Sequence, residues 1–357
     1  MGKIFRWLLA LFCYYSGILW LFERINRYSR EGFWILEYYR ISNSKEEDFL
    51  KMVVSPKHFK KQMRYLKKKY DILPLTELVE KIANRQPLPP RSIAITFDNG
   101  YKNTYFSARP VLKELNIPAT VFLVTDNIGT EDLLWFDEII ELVKNSPLKW
   151  IVIKLDNFEE TYNLSDTHSK NKLISRLLEI TRSTVYHERR EYLPKLKKLL
   201  QVDKIANPEK ILLNWQEIKE MLGNNIDFGS HGRTYVELSV LSTVELDSEI
   251  YDSKKAIEAN IGRRVSLFSY PSGRERDISY FAINRLRGGG AGYKAACMSI
   301  LGKNKDTRDL FKLKRRGIEK ASSTSFFGLF SKALFACEIS GIFDLIFFRR
   351  ERGVNVD

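Results

Sequence analysis

Histidine and cysteine are scarce in this chain of 357 residues, which has four of the first and three of the second. Cys13, Cys297 and Cys337 are widely spaced and odd in number, which excludes a disulfide framework and a CxxC metal site and fits a reducing compartment. Acid is in deficit as well: 44 Asp and Glu face 58 Lys and Arg, a formal charge of +14. Such an excess suits phosphate-bearing or acidic partners, whether nucleic acid, anionic headgroups or glycan. The basic side chains are scattered over helical patterns and termini without a nucleic-acid motif, so no nucleic acid is expected and a membrane surface is the expected anionic partner. Long apolar runs are missing too, since no charge-free stretch reaches the roughly 20 residues that a spanning helix needs. What remains, 44% hydrophobic and 13% aromatic residues, supplies a full core and excludes a disordered chain.

The longest charge-free run, Trp7 to Phe22, holds 16 residues between Lys3 and Arg6 on one side and Arg24, Arg27 and Arg30 on the other. No small-residue cleavage pattern follows it. Its Trp7, Tyr14, Tyr15 and Trp20 favour the headgroup region, so residues 1–30 are expected to form an apolar, basic, membrane-associating segment, peripheral and on the cytoplasmic side. A core helix packed on the rest of the protein is the alternative. The apolar stretch from Phe326 to Phe348 carries Lys332, Glu338 and Asp344 six residues apart, a spacing that spreads charge around one helix. A break near Gly341 would leave two shorter amphipathic pieces, which makes 321–357 an amphipathic helical tail.

Between these ends, runs rich in strand formers (33–41, 92–97, 119–124, 226–231, 266–270 and 293–298) alternate with helical periodicity, for example over 56–70, 105–115 and 244–260. Strand then helix, repeated, argues for an α/β fold with parallel strands and helices outside. Residues 157–209 are polar, charged and helix-forming without a strong strand, and read as a helical insertion within a body spanning 31–320.

Three polar clusters close apolar strands: Thr96-Phe97-Asp98-Asn99-Gly100, Gly229-Ser230-His231 and Tyr270-Pro271-Ser272-Gly273. Functional groups of parallel α/β folds gather at the C-terminal ends of strands, so a carboxylate, an imidazole and a tight turn are aimed at one rim. One acid after one strand is more often a turn residue; three such clusters in this order point to a site. With the segments AITFDNGYKN, RPVLKELNIPATVFLV, FGSHGRTYVEL, TVELDSEIYDSKKAIEANIG and FSYPSGR, the chain from about Trp34 to Ile318 resembles the NodB-homology polysaccharide deacetylases, carbohydrate esterase family four. Tyr38-Tyr39-Arg40 is a degenerate form of that family's early YHR motif. The resemblance implies a distorted (β/α) barrel of about seven parallel strands, here with a helical insertion and apolar terminal helices. It also implies metal-dependent hydrolysis of N- or O-acyl groups on sugars.

Matched to the family's motifs, Asp98 takes the place of the general base, and Asn99, His231 and Tyr235 take those of the three metal ligands. The turn Tyr270, Pro271, Ser272 and Gly273 corresponds to the substrate and oxyanion region. Arg40, Trp135 and Asp137 fall near the cleft, with packing or ion pairing as the equal alternative. The late His that serves the family as general acid should lie within 313–320, and LKRRGIEK contains none. A catalytic zinc site typically has three protein ligands, and here an amide and a phenol replace a carboxylate and an imidazole, so zinc is expected to be held weakly or not at all. Two functional readings remain open. One is a carbohydrate deacetylase acting on a glycan or lipid-linked saccharide in cell-surface polysaccharide metabolism; the other is a catalytically impaired relative that binds a glycan or a protein partner.

Overall fold

Eight short strands, all paired in parallel, make up the central sheet. They are β1 (Trp34–Tyr38), β2 (Asp71–Ile72), β3 (Ser92–Phe97), β4 (Ala119–Leu123), β5 (Ile226–Ser230), β6 (Leu267–Ser269), β7 (Ala295–Cys297) and β8 (Arg316–Gly317). Seven of them lie in the order β7-β6-β5-β4-β3-β1-β8, and β2 adds to β3 off that path. The computed structural model describes residues 2–25, 32–43, 48–155, 158–182, 184, 186–205, 210–288, 290–305 and 309–347; Arg27, Arg30 and the chain beyond Phe347 lie outside them. The distorted (β/α) barrel expected from the sequence is present, and every strand-forming run contributes to it.

The curl comes from the last strand. Leu313 bridges in parallel to Cys297 on β7, and three residues later Arg316 pairs with Leu36 on β1, so one segment draws the two edges together. Side chains alternate along a strand, which turns Arg315 into the barrel and Arg316 out of it. β1, β3 and β4 are buried at every position because side chains fill the interior while helices cover the outside. Those helices include α3 (Pro56–Lys69), α4 (Leu75–Ala83), α5 (Arg109–Leu115), α6 (Trp135–Asn145), α9 (Trp215–Leu222), α10 (Ser253–Ile261) and α11 (Tyr280–Gly288). Their ends follow local chemistry: the Ser55 hydroxyl accepts the His58 N–H with Pro56 in the first turn of α3, and Asn214 and Glu217 form a reciprocal capping box on α9.

The insertion is less helical than expected. It holds α7 (Thr167–Arg182) and α8 (Tyr186–Leu199), but an antiparallel hairpin of Trp150–Leu155 and Phe158–Asn163 precedes them. Only one face of that hairpin is buried, through Ile151, Ile153 and Tyr162; Trp150 and Val152 are exposed on the other, and the second strand, FEETYN, is too polar to read as one. The C-terminal stretch also differs from expectation. The C-terminal one breaks at Gly341 (φ 82°) into α12 (Lys332–Ser340) and α13 (Ile342–Ile346), yet α12 is buried on all sides from Ala333 to Ser340 and is not amphipathic. Its Glu338 is neutralised by Arg6 and by Arg316, the latter at 3.2 Å. At the other end α1 (Lys3–Tyr15) and α2 (Ile18–Ile25), bent by 71°, pack beside α12 with Ala10, Cys13 and Leu19 buried and most other apolar side chains exposed.

Candidate active site

Six strands deliver one side chain each to the floor of the barrel. Asp98 follows β3 and His231 follows β5; Ser269 ends β6, Ser299 follows β7, Glu37 sits on β1, and Arg315 precedes β8. Asp98 and His231, far apart in sequence, approach to 3.5 Å between Oδ2 and Nε2. The Arg315 guanidinium grips the Asp98 carboxylate with both terminal nitrogens, Nη1 to Oδ1 at 2.6 Å and Nη2 to Oδ2 at 2.7 Å. Its Nη2 also meets Glu37 Oε1 at 2.6 Å, and Nε donates to the Met298 carbonyl at 3.0 Å. Ser269 donates to Asp98 (3.1 Å), and Ser299 donates to Glu37 (2.6 Å).

Local chemistry places the imidazole. The His231 backbone N–H donates to the Leu123 carbonyl on β4, and the Glu249 carboxylate gathers the backbone N–H groups of Arg233 (2.5 Å) and Thr234 (3.1 Å) in the turn that follows. Gly229 lies within β5. A Cβ there would come within 2.5 Å of the Phe122 ring and 2.9 Å of the Leu267 carbonyl, so the glycine answers to close packing between strands.

The electrostatics separate the two carboxyls. Burial pushes the Asp98 carboxyl up, but Arg315 and then His231 outweigh it and hold the group below its ordinary value. Burial dominates at Glu37, helped by the Asp98 charge and opposed by Arg315, and raises it to about 7. Burial also lowers His231, with Asp98 and the Ser269 carbonyl opposing, so the ring is neutral near pH 7. Nδ1 lies 2.7 Å from the Ser269 carbonyl, which accepts its proton and leaves Nε2 with a bare lone pair, buried and without a hydrogen-bond partner.

The structure gathers only some of the residues named from the sequence. Asp98, His231 and Tyr235 do meet, and Asn99 lies next to Asp98 along the chain. Asn99 takes a left-handed backbone (φ 74°) that buries its amide with neither Oδ1 nor Nδ2 hydrogen-bonded. Tyr235, also left-handed (φ 56°), sets its ring edge-on to His231 at 5.1 Å. Tyr270 does not join them: its hydroxyl donates to the Phe311 carbonyl at 3.0 Å. Ser272 is occupied as well, its hydroxyl on Glu237 (2.8 Å) and its backbone N–H on the Tyr235 hydroxyl, so it is not a free oxyanion donor. Pro271 accepts the Gly273 N–H, and Gly273 (φ 64°) packs where a Cβ would meet the Ser299 backbone nitrogen at 2.5 Å. Arg40 pairs with Asp48 at 3.6 Å and lies over the Tyr101 ring, a structural role. Trp135 serves as a wall, its Nε1 donating to the Tyr235 carbonyl at 3.0 Å. Asp137 is enclosed by the Tyr101 hydroxyl (2.6 Å) and Lys210 (3.2 Å), away from the acid–imidazole pair.

The metal implied by the resemblance does not fit these donors. Asn99 is neutral, and burial, with the Asp98 and Glu237 charges, raises the Tyr235 phenol and keeps its proton in place. Both oxygens of Asp98 accept hydrogen bonds from the Arg315 guanidinium, whose positive charge at that distance disfavours a second cation there. One imidazole nitrogen is left, where a catalytic ion needs about three ligands. Among the described residues no group of three His, Cys, Asp or Glu is arranged to hold an ion.

Arg315 and Glu37 escaped the sequence reading, although each left a trace. Glu37 is a lone acid in the apolar strand WILEY, and Arg315 is half of an Arg-Arg pair in LKRRGIEK, where the family's late histidine is missing. A third unforeseen feature is the cover over the site. Arg189 of α8 stacks on Trp135 (4.4 Å), donates to the Tyr235 carbonyl (3.3 Å) and pairs with Glu237 (3.0 Å), which fastens the insertion across the strand ends.

Known proteins resemble this chain in sequence and in fold. A family model described as "Polysaccharide deacetylase" matches residues 85–287, more than half of the chain. The poly-beta-1,6-N-acetyl-D-glucosamine N-deacetylase of Staphylococcus epidermidis is 29% identical over 219 residues, 57% of this chain and 73% of that protein. A protein of the same description from Staphylococcus aureus is 31% identical over 155 residues, 41% of this chain and 49% of the relative, so the chain spans about half the length of that relative. Among solved structures, the Streptococcus pyogenes deacetylase PplD in complex with acetate superposes with a TM-score of 0.52 at 16% identity, over 81% of this chain and 92% of the other. IcaB from Ammonifex degensii gives 0.51 at 16%, over 82% and 94%. These likenesses establish the shared fold.

Proposed function

The chain belongs to the polysaccharide deacetylase family, a family of carbohydrate-acting hydrolases, and from that premise we propose that it removes the acetyl group from N-acetylated amino sugars of a cell-surface polysaccharide. The curated relatives act on poly-β-1,6-N-acetylglucosamine, which makes a polymer of that kind, or its lipid-linked saccharide, the substrate class. The observation that carries the reading is the buried contact of Asp98 with His231 at the strand ends, with Arg315 keeping the carboxylate ionised.

In this reading Asp98 takes a proton from the attacking water, and the bare Nε2 of His231 orients that water by accepting its other hydrogen bond. The new C–O bond forms as the carbonyl π pair moves onto oxygen. The neutral Tyr235 phenol donates to that oxyanion, a donor type whose removal costs about 10²–10³ in rate. Collapse breaks the C–N bond, and the proton held by Asp98 passes to the leaving amine. Acetate and a free amino sugar result. Family members supply Lewis-acid activation with a divalent metal; the donors here are a poor set for zinc, and no step above depends on it.

Asn99, Asp98, His231 and Tyr235 are all buried, so the sugar enters when the Arg189–Trp135–Tyr235 cover parts. Incubation with an N-acetylated glucosamine polymer tests the reading. Acetate is expected from the wild type and markedly less from Tyr235→Phe, whereas polymer left intact by the wild type would remove the proposal.

A further inference from the structure

The two ends of the chain, read separately in the sequence, form one surface. Of the 21 large hydrophobic side chains exposed among the described residues, nine lie on α1 and α2 and five between Phe326 and Ile346. Trp7 meets Phe327 edge-on at 5.6 Å, Lys332 lies over the Tyr14 ring, and Arg6 pairs with Glu338 beneath, so helices and C-terminal loop are joined. Phe12, Trp20 and Phe327 point to solvent with 61%, 60% and 71% of their surface exposed. A soluble monomer rarely leaves so much apolar surface together.

We propose that this platform docks the protein on the surface of an anionic lipid bilayer, lying in the headgroup region without crossing it. Length and shape favour that occupant. At about 1.5 Å per residue α1 extends about 20 Å and α2 about 12 Å, against a hydrocarbon core of about 30 Å. The pair is bent by 71° at Ser16 and Gly17, and straightening it would either pull Arg6 of α1 from Glu338 or lift α2, with its buried Leu19 and the Glu23–Arg91 pair, off the body. Charge points the same way. Glu23 is the only acid on the two helices and is paired with Arg91 at 3.4 Å. Lys3 and Arg24 remain at the ends, and Arg24 lies over the Trp20 ring at 5.1 Å, an arrangement of amphipathic aromatic and cation suited to headgroups. A second copy of the chain would set these cationic ends against each other.

This inference does not rest on the deacetylase reading, and its test needs no substrate. Full-length protein is sedimented with vesicles of phosphatidylglycerol and phosphatidylcholine in equal parts, and with phosphatidylcholine alone. The wild type is expected to bind the first and bind the second more weakly. The triple variant Phe12→Gln, Trp20→Gln, Phe327→Gln is expected to lose roughly a hundredfold in partition, at unchanged circular dichroism, because three half-exposed aromatics no longer enter the lipid. Equal binding by wild type and variant overturns the proposal, as does a wild type that ignores vesicles. A wild type that instead dimerises in solution through this face, with the variant monomeric, overturns it in favour of a second copy.

Discussion

Arg315→Met probes the floor of the barrel most severely. The side chain is fully buried and satisfies two carboxyls, Asp98 and Glu37, so methionine of similar length keeps volume while stranding both acids. Breaking a buried ion pair from one side costs about 3–5 kcal/mol, which for a chain of this size lowers the melting temperature by roughly 5 °C. The cost must also depend on pH. Without Arg315, burial raises both carboxyls above their unfolded values, and Glu37 already stands at about 7 with the arginine present. Groups raised in the folded state favour folding below the unfolded pKa and lose that contribution as pH rises through the folded one. The gap between wild type and variant is therefore expected to be small near pH 4 and largest near pH 8. Urea unfolding across that range measures it, with Glu37→Gln added to Arg315→Met expected to recover part of the alkaline loss. A gap below about 1 kcal/mol, or one of the same size at both ends of the range, refutes the reasoning.

Other expectations follow from the same contacts. Wild-type protein incubated with excess zinc and then desalted is expected to retain well under one ion per chain by mass spectrometry, whereas Asn99→Asp with Tyr235→His restores two ligands and is expected to retain about one. Gly229→Ala forces a methyl against the Phe122 ring and is expected to destabilise by about 1–3 kcal/mol in urea unfolding, although the residue lies in a strand and not a turn. Deleting residues 1–30 removes the cover of α12, so the truncated chain is expected to melt earlier and aggregate, which light scattering on heating would show.

The barrel was legible because its strands are short, apolar and spaced by amphipathic helices, a pattern that depends on local periodicity. Asp98, His231 and their meeting were legible because each ends such a strand. Arg315 was not, because its inward direction is set by the pairing of 313–317 with both edges of the sheet, a long-range fact that an Arg-Arg pair conceals. Tyr270 was misplaced for a related reason: it directly follows Ser269, and neighbouring positions on a strand face opposite ways. The hairpin was missed because its second strand, Phe158–Asn163, is mostly polar (FEETYN), and the apolar first strand, Trp150–Leu155, has no apolar partner run in the sequence to pair with. The nearly complete burial of α12 reflects α1 lying over it, a contact between opposite ends of the chain.

The most direct test compares acetate release by wild type and Asp98→Asn on N-acetylated polyglucosamine, with folding of both checked by circular dichroism. If Asp98 beside His231 is the hydrolytic centre, the wild type releases acetate and the variant does so about 10²–10⁴ times more slowly. Equal rates from the two proteins, or no acetate from the wild type, would contradict the account.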